Sequence, residues 1–281
     1  MYISNELWLT VTRGFASVFP TMGLCQFVTP WYGMGKTSTP SRFNLPGRWA
    51  WMSMEVPGFL CLLWTMAEVG RKGNMAWQSQ ALAGLFTIHY IYRAILFPLL
   101  QPSMAPIHPL IWLSAVCFQV CNGISLGGWL GGYGDAHFTG VWAHVRFGAG
   151  VCVFFAGLAG NYVHDEELRQ LRRTATNTQE PGKTATEHGM KASVAGQGQD
   201  RYKLPQARLF RYILYPHYLC EWIEWLGFWM AAGWTCGPAR AFVVNEVAAM
   251  LPRAIRGRQW YVEKFGAERV GKRWAVIPGL V

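Results

Sequence analysis

The sequence predicts an all-α, polytopic membrane protein with seven transmembrane helices, read as one domain over residues 1–281. Three observations carry that prediction. Hydrophobic residues make up 52% of the chain and charged residues only 14%, against roughly 25% charged in soluble domains. The apolar residues come in runs near the ~20 residues a bilayer core requires. No segment alternates apolar and polar residues in the way a half-buried strand does.

Taken in order, the spans are read at 7–28, 48–68, 76–98, 108–131, 144–164, 209–233 and 238–252. The first is interrupted by Arg13 and is expected to act as an uncleaved anchor, since it lacks a basic start and a small-residue cleavage site. The last is short and ends at Pro252. Gly123, Gly127 and Gly131, and likewise Gly157 and Gly160, recur at spacings that let helices approach closely. Trp31, Tyr32, Trp129, Tyr133, Trp260 and Tyr261 fall near span ends, as interfacial aromatic belts do. Residues 174–200 are rich in Thr, Gly and Gln without apolar periodicity, and are expected to form a disordered cytosolic insert whose deletion leaves activity largely intact.

Charge sets the expected orientation. Of the formal +10, basic residues gather after the first span (Lys36, Arg42, Arg48), after the fifth (Arg169, Arg172, Arg173 through Lys203 and Arg208) and after the seventh (Arg253 through Arg273). The intervening loops hold only Arg71, Lys72 and Arg240. An excess of Lys and Arg marks cytoplasmic loops, which puts the amino terminus on the luminal or outer side and the carboxyl terminus in the cytosol. These charges flank spans and do not form one face of a soluble module, which argues against nucleic acid as a partner. Seven cysteines are scattered through apolar spans with no C-x-x-C pair, and read as small core hydrophobes.

Polar residues inside the spans are the functional signal. Glu55 stands in the run from Trp49 to Trp64, among tryptophans and leucines. A charge held at that depth costs several kcal/mol unless it is neutralised or paired, and intramembrane ionisable residues mark functional sites by default. His217, Glu221 and Glu224 fall at i, i+4 and i+7, one stripe of a helix. Asn161, Asp165 and Arg172 form a second stripe, and His89 with Arg93, beside Tyr90, a third. The economical arrangement turns these stripes toward each other around a polar chamber. Taken singly, Arg172 reads as a snorkelling anchor, a lone His as a satisfied core residue and Tyr90 as a packing aromatic with its hydroxyl tied to a neighbour. Glu224 reads as the member best suited to cross-bracing helices. A metal site is not expected, because the seven histidines lie one at a time and not in the clusters a di-iron site needs. A glycine-rich phosphate loop between strand and helix is missing too, so any nucleotide has to be held by helix stripes and basic loops.

Several motifs resemble, in order, those of the steroid 5α-reductase family (3-oxo-5α-steroid 4-dehydrogenases), within the wider superfamily that includes polyprenol reductases. They are Leu45-Pro-Gly-Arg-Trp-Ala-Trp-Met-Ser-Met-Glu-Val-Pro57, His89-Tyr-Ile-Tyr-Arg93 with Phe97-Pro98, Asn122-Gly123, and Asn161-Tyr-Val-His-Asp165 with Leu168-Arg-Gln-Leu-Arg172. Tyr202-Lys-Leu-Pro205, Glu221-Trp-Ile-Glu-Trp-Leu-Gly-Phe228, Pro252-Arg-Ala254, Trp260-Tyr261 with Lys264-Phe265, and Ala275-Val-Ile-Pro278 follow. The set covers nearly the whole chain apart from the insert.

The resemblance implies a seven-helix enzyme of the endoplasmic reticulum, its cytosolic loops closing over an NADPH site. It implies reduction of the Δ4 carbon–carbon double bond of a 3-oxo steroid entering from the bilayer. By this analogy Tyr90 and Glu55 polarise the ketone oxygen, Glu55 donating in its protonated form, and Arg93 steadies them. Asn161, Asp165, Arg172, Tyr202, Lys203, His217, Glu221 and Tyr261 match positions that hold NADPH. The chain departs from the pattern at several places. His217 stands where steroid reductases usually carry Asn; Pro-His-Tyr occurs in polyprenol reductases and isoprenylcysteine methyltransferases. Ala207-Arg208 replaces Gly-Gly, Arg256-Gly-Arg258 replaces a histidine cluster, and Gln101-Pro-Ser-Met104 lacks arginines common there. Alternatives are therefore a polyprenol or enoyl-lipid reductase, an S-adenosylmethionine-dependent membrane methyltransferase, or a sterol-binding relative without turnover. The methyltransferase reading leaves Glu55 and the His89–Arg93 motif unexplained.

Overall fold

A computed structural model describes residues 3–29, 31, 33–35, 40–71, 73, 75–134, 138–177 and 202–281. The long helices are α1 (Asn5–Cys25), α2 (Gly47–Gly70), α3 (Trp77–Leu100), α4 (Pro109–Tyr133), α5 (Val141–Asn177), α6 (Pro216–Ala232) and α7 (Gly237–Phe265), followed by a single turn, α8 (Ala267–Val270). Among the described residues no strand forms; two isolated bridges, Leu45 with Ile107 and Ile213 with Trp274, tie loops together. Three helices, α3, α4 and the Val141–Thr174 part of α5, are long and apolar enough to cross a membrane.

Local sequence explains most helix limits. Pro109, Pro216 and Pro238 open α4, α6 and α7, where a missing N–H costs nothing. Gly233 (φ 103°) and Gly266 (φ 86°) end α6 and α7 in backbone conformations that side chains resist. Three limits differ from the sequence reading. α7 does not end at Pro252 but carries that proline inside the helix and runs on to Phe265, where Gly266 stops it. α5 runs well past residue 164 to Asn177, its polar end stitched by Glu166–Arg169 and Gln170–Glu166 contacts at i+3 and i+4. The sixth helix starts at Pro216 and not at 209, because Leu214 and Tyr215 donate to Trp274 and Ala275 carbonyls (both 2.9 Å) and pin that segment to the carboxyl-terminal tail. Of the insert expected over 174–200, residues from 178 on lie outside the described residues, as do Tyr32, Lys36 and Lys72.

The small-residue spacings are where backbones meet. A Cβ on Gly127 of α4 would stand 2.5 Å from the Leu62 carbonyl oxygen of α2, and one on Gly131 would stand 3.0 Å from that of Met66. One on Gly157 of α5 would stand 2.5 Å from the Glu224 Cα of α6, with Gly150 opposite Ala231 in the same seam. These contacts bring α2 against α4 and α5 against α6, helix backbone on helix backbone.

Apolar residues cover the outside as well as the core. Val18, Leu60, Trp77, Leu113, Trp142 and Val145 are exposed, while Gln78, Gln119, Asn122, Asn161, Asp165, Glu221, Glu224 and Asn245 are buried. The core around these polar residues is aromatic: Trp225 of α6 packs against Phe228 of its own helix, Phe86 and His89 of α3, Phe154 of α5 and Phe242 of α7. A second core at the opposite end of α6 joins Leu214, Tyr215, Trp222, Met250, Tyr261 and Val276.

Candidate functional site

The three polar stripes meet. His89 Nδ1 of α3 lies 2.7 Å from Glu224 Oε1 of α6, and His89 Nε2 lies 4.0 Å from Glu221 Oε1. Arg93 reaches Asp165 Oδ2 of α5 at 3.5 Å and Glu221 Oε2 at 3.6 Å. Asn161 Nδ2 donates to Glu221 Oε2 at 3.0 Å and to the His217 carbonyl at 3.3 Å. One cation therefore links carboxylates from two helices, and removing it leaves two buried acids without their partner. Glu224 cross-braces α3 and α6, against the close Gly157 seam.

Arg93 sits in a π-helical turn of α3, Ile91–Leu96, a widened geometry that concentrates at functional sites. Trp51 of α2 braces this turn, donating its Nε1 hydrogen to the Arg93 carbonyl at 3.0 Å, and the guanidinium lies 5.2 Å from the Trp51 ring centre and 5.0 Å from that of Phe97. Gln119 of α4 donates to Glu55 Oε2, and Tyr90 comes within electrostatic reach of Glu55. Tyr90 is held from behind by Phe86 (4.5 Å between ring centres) and His89 (5.0 Å). Glu55, Gln119 and Tyr90 thus form one polar cluster from three helices, with Arg93 within electrostatic reach of Glu55.

On the other side of Arg93 opens a cavity of about 530 Å³. Of the residues singled out from sequence, Arg93, Asp165, Arg172, Tyr202, Lys203, His217 and Tyr261 line it, together with Arg253 and Arg256. Glu55, Tyr90, Asn161 and Glu221 do not line it. Glu221 and Asn161 stand one contact deeper, Glu221 behind Arg93 and Asn161 behind Glu221. Arg172 is more than a surface anchor: its Nη1 donates to Gln101 Oε1 at 3.0 Å, joining α5 to the end of α3. Tyr202 packs on Trp260 (5.2 Å) with the Lys264 ammonium 4.8 Å from its ring centre.

Sequence reasoning passed over several members. Gln119 and Gln101 organise Glu55 and Arg172, and Arg48 Nη2 donates to the Gln101 carbonyl at 2.8 Å. Glu246 of α7 comes within electrostatic reach of Glu55, Glu221 and Arg93. The signal that exposed Glu55, a polar residue in an apolar run, applies equally to Gln119 and Glu246; Gln101 stands at a helix end, where no such contrast exists.

The chain was compared with known proteins. A model of the 3-oxo-5-alpha-steroid 4-dehydrogenase family matches residues 105–181 and 183–281. Steroid 5-alpha-reductase DET2 of Solanum lycopersicum is 33% identical over 267 residues, 93% of this chain and 92% of that protein. 3-oxo-5-alpha-steroid 4-dehydrogenase 2 of Homo sapiens is 29% identical over 279 residues, 95% of each chain. Uncharacterized protein C9.08c of Schizosaccharomyces pombe is 32% identical over 255 residues, 86% of each. With over half its length matched by the family model, and a reductase one-third identical along nearly all of it, this chain belongs to the 3-oxo-5-alpha-steroid 4-dehydrogenase family of oxidoreductases acting on a CH–CH group.

Proposed function

We propose that this chain reduces the Δ4 carbon–carbon double bond of a 3-oxo-Δ4 steroid, or of a sterol-like enone, to the 5α product with NADPH. We also propose that all seven long helices cross the membrane of the endoplasmic reticulum, amino terminus luminal and carboxyl terminus cytosolic. The observation that carries the reading is the position of Arg93. It faces the basic cavity through Asp165 and stands within reach of Glu55 beside Tyr90, so one residue joins a nucleotide half to an enone half.

The residues present fit a nicotinamide dinucleotide. Asn161 supports the site from behind, donating to Glu221 Oε2 at 3.0 Å, and Glu221 in turn holds Arg93 at the cavity wall. Arg172, Lys203, Arg253 and Arg256 line the cavity and suit phosphate oxygens, with Tyr202 and Tyr261 offering hydroxyls and ring faces. A dinucleotide held there would supply a hydride to the β-carbon of the enone, and the α-carbon would take up a proton to complete the saturated bond. Reduction at the β-carbon would place negative charge on the ketone oxygen. The Tyr90 hydroxyl and the Glu55 carboxyl, in its acid form, donate to that oxygen, and Gln119 fixes the Glu55 orientation. Glu221 and Asp165 hold Arg93 in place.

The test uses purified full-length protein with NADPH and a panel of 4-ene-3-ketosteroids and polyprenols, with S-adenosylmethionine as the competing cosubstrate. Steroid-dependent NADPH consumption with formation of the 5α product is expected. Methyl transfer, or binding of steroid without turnover, would replace this assignment.

A further inference from the structure

A second cleft, of about 960 Å³, lies on the far side of the segment preceding α6 and, among the described residues, shares no lining residue with the cavity described above. Its walls include Arg211, Arg269, Lys272 and Arg273, and among the described residues no acidic one lines it. Its frame is firmly built. Trp274 donates to the Tyr212 carbonyl at 2.9 Å, Leu214 donates back to the Trp274 carbonyl at 2.9 Å, and Arg273 spends its guanidinium on the Val270, Pro205, Phe210 and Arg269 carbonyls. Arg273 is therefore structural, whereas Arg211, Arg269 and Lys272 are exposed around the opening.

Apolar surface accompanies these cations. Tyr212 and Trp274 are exposed at the cleft. Leu219 lines it one turn into α6, and Ile223 and Leu226, at i+4 and i+7, continue that face outward, both exposed. A basic cleft thus caps an apolar helix face, at the end of α6 where aromatic rings sit, as at a membrane boundary. Free phosphate needs only the cations; the apolar track fits acyl chains.

We propose that this cleft binds an anionic phospholipid, its headgroup phosphate on Arg211, Arg269 and Lys272 and its acyl chains along Leu219, Ile223 and Leu226. Each cation near such a headgroup contributes about fivefold in affinity, so the three together favour an anionic lipid over a zwitterionic one by up to ~10²-fold, and by at least ~10-fold if two of them engage.

Native mass spectrometry of the full-length protein, released from neutral detergent, tests this. Phosphatidylglycerol and phosphatidylcholine of identical acyl composition are titrated in turn, and inorganic phosphate is added as competitor. Phosphatidylglycerol should bind at least ~10-fold tighter. The combined Arg211→Gln, Arg269→Gln, Lys272→Gln variant should lose that preference and keep its phosphatidylcholine affinity. Should that variant fail to fold, Arg211→Gln and Arg269→Gln singly should each lower the preference about fivefold. Equal binding of the two lipids by the unaltered protein, an unchanged preference in the variants, or full displacement of the lipid by millimolar phosphate would overturn the proposal.

Discussion

Removing the charge of Arg93 is the perturbation whose size the structure sets most directly. Its guanidinium stands 3.5 Å from the Asp165 carboxylate and 3.6 Å from that of Glu221. At an effective dielectric near 20 each pair represents about 4–5 kcal/mol of gross attraction, most of it offset by the desolvation of three ionised groups. The cost of Arg93→Leu comes from what stays behind: two carboxylates, each 4% exposed, without their cation. Breaking a buried pair in this way costs about 3–5 kcal/mol, which in a chain of this size lowers the unfolding midpoint by roughly 10 °C. Arg93→Lys keeps the charge but loses the planar fork that reaches two acids, and should fall between. The assay is thermal unfolding in detergent followed by a thiol-reactive dye, since Cys220 and Cys236 are buried and free. Because membrane proteins often unfold irreversibly, variants are compared at one scan rate. Adding Asp165→Asn and Glu221→Gln to Arg93→Leu should recover much of the loss by neutralising the orphaned acids. An Arg93→Leu midpoint within 2 °C of the unaltered protein (roughly the resolution of the scan), or no recovery in the triple variant, would refute the claim that this cation holds the two acids.

Three further outcomes follow from the same geometry. Tyr90→Phe should lower kcat by about 10²-fold while leaving NADPH affinity intact, because it removes one donor to the developing oxyanion; single-turnover kinetics alongside cofactor titration separates the two. Glu55→Gln should retain more activity than Glu55→Leu, since an amide still donates and still meets Gln119; equal losses would mean that the ionised carboxylate acts. Gly157→Ala should destabilise the protein by about 1–3 kcal/mol, because its Cβ would press on the Glu224 backbone at 2.5 Å. Gly148→Ala, with nothing within 4 Å, should be neutral or stabilising by up to ~1 kcal/mol, and unfolding midpoints of the pair measure the difference.

Much of the site was legible before any coordinates. An acid in an apolar run is conspicuous against its neighbours, which is how Glu55 and Glu221 stand out, and helical periodicity assigns His217, Glu221 and Glu224 to one face. The same contrast marks Gln119 and Glu246, which stand in apolar runs as Glu55 does. Gln101 carries no such mark, because it stands at a helix end and its importance rests on the atoms it holds, those of Arg172 and Arg48.

Residue order and spacing suffice to make the chain helical, to give its helices polar stripes on apolar faces, and to mark the family it resembles. The pairing of Arg93 with Asp165 and Glu221, of His89 with Glu224 and of Gln119 with Glu55 emerges only when the helices pack. Periodicity fixes the face on which a side chain stands, but which face it meets depends on how closely glycine seams let backbones approach. That is a property of two surfaces together, which no single segment of sequence encodes.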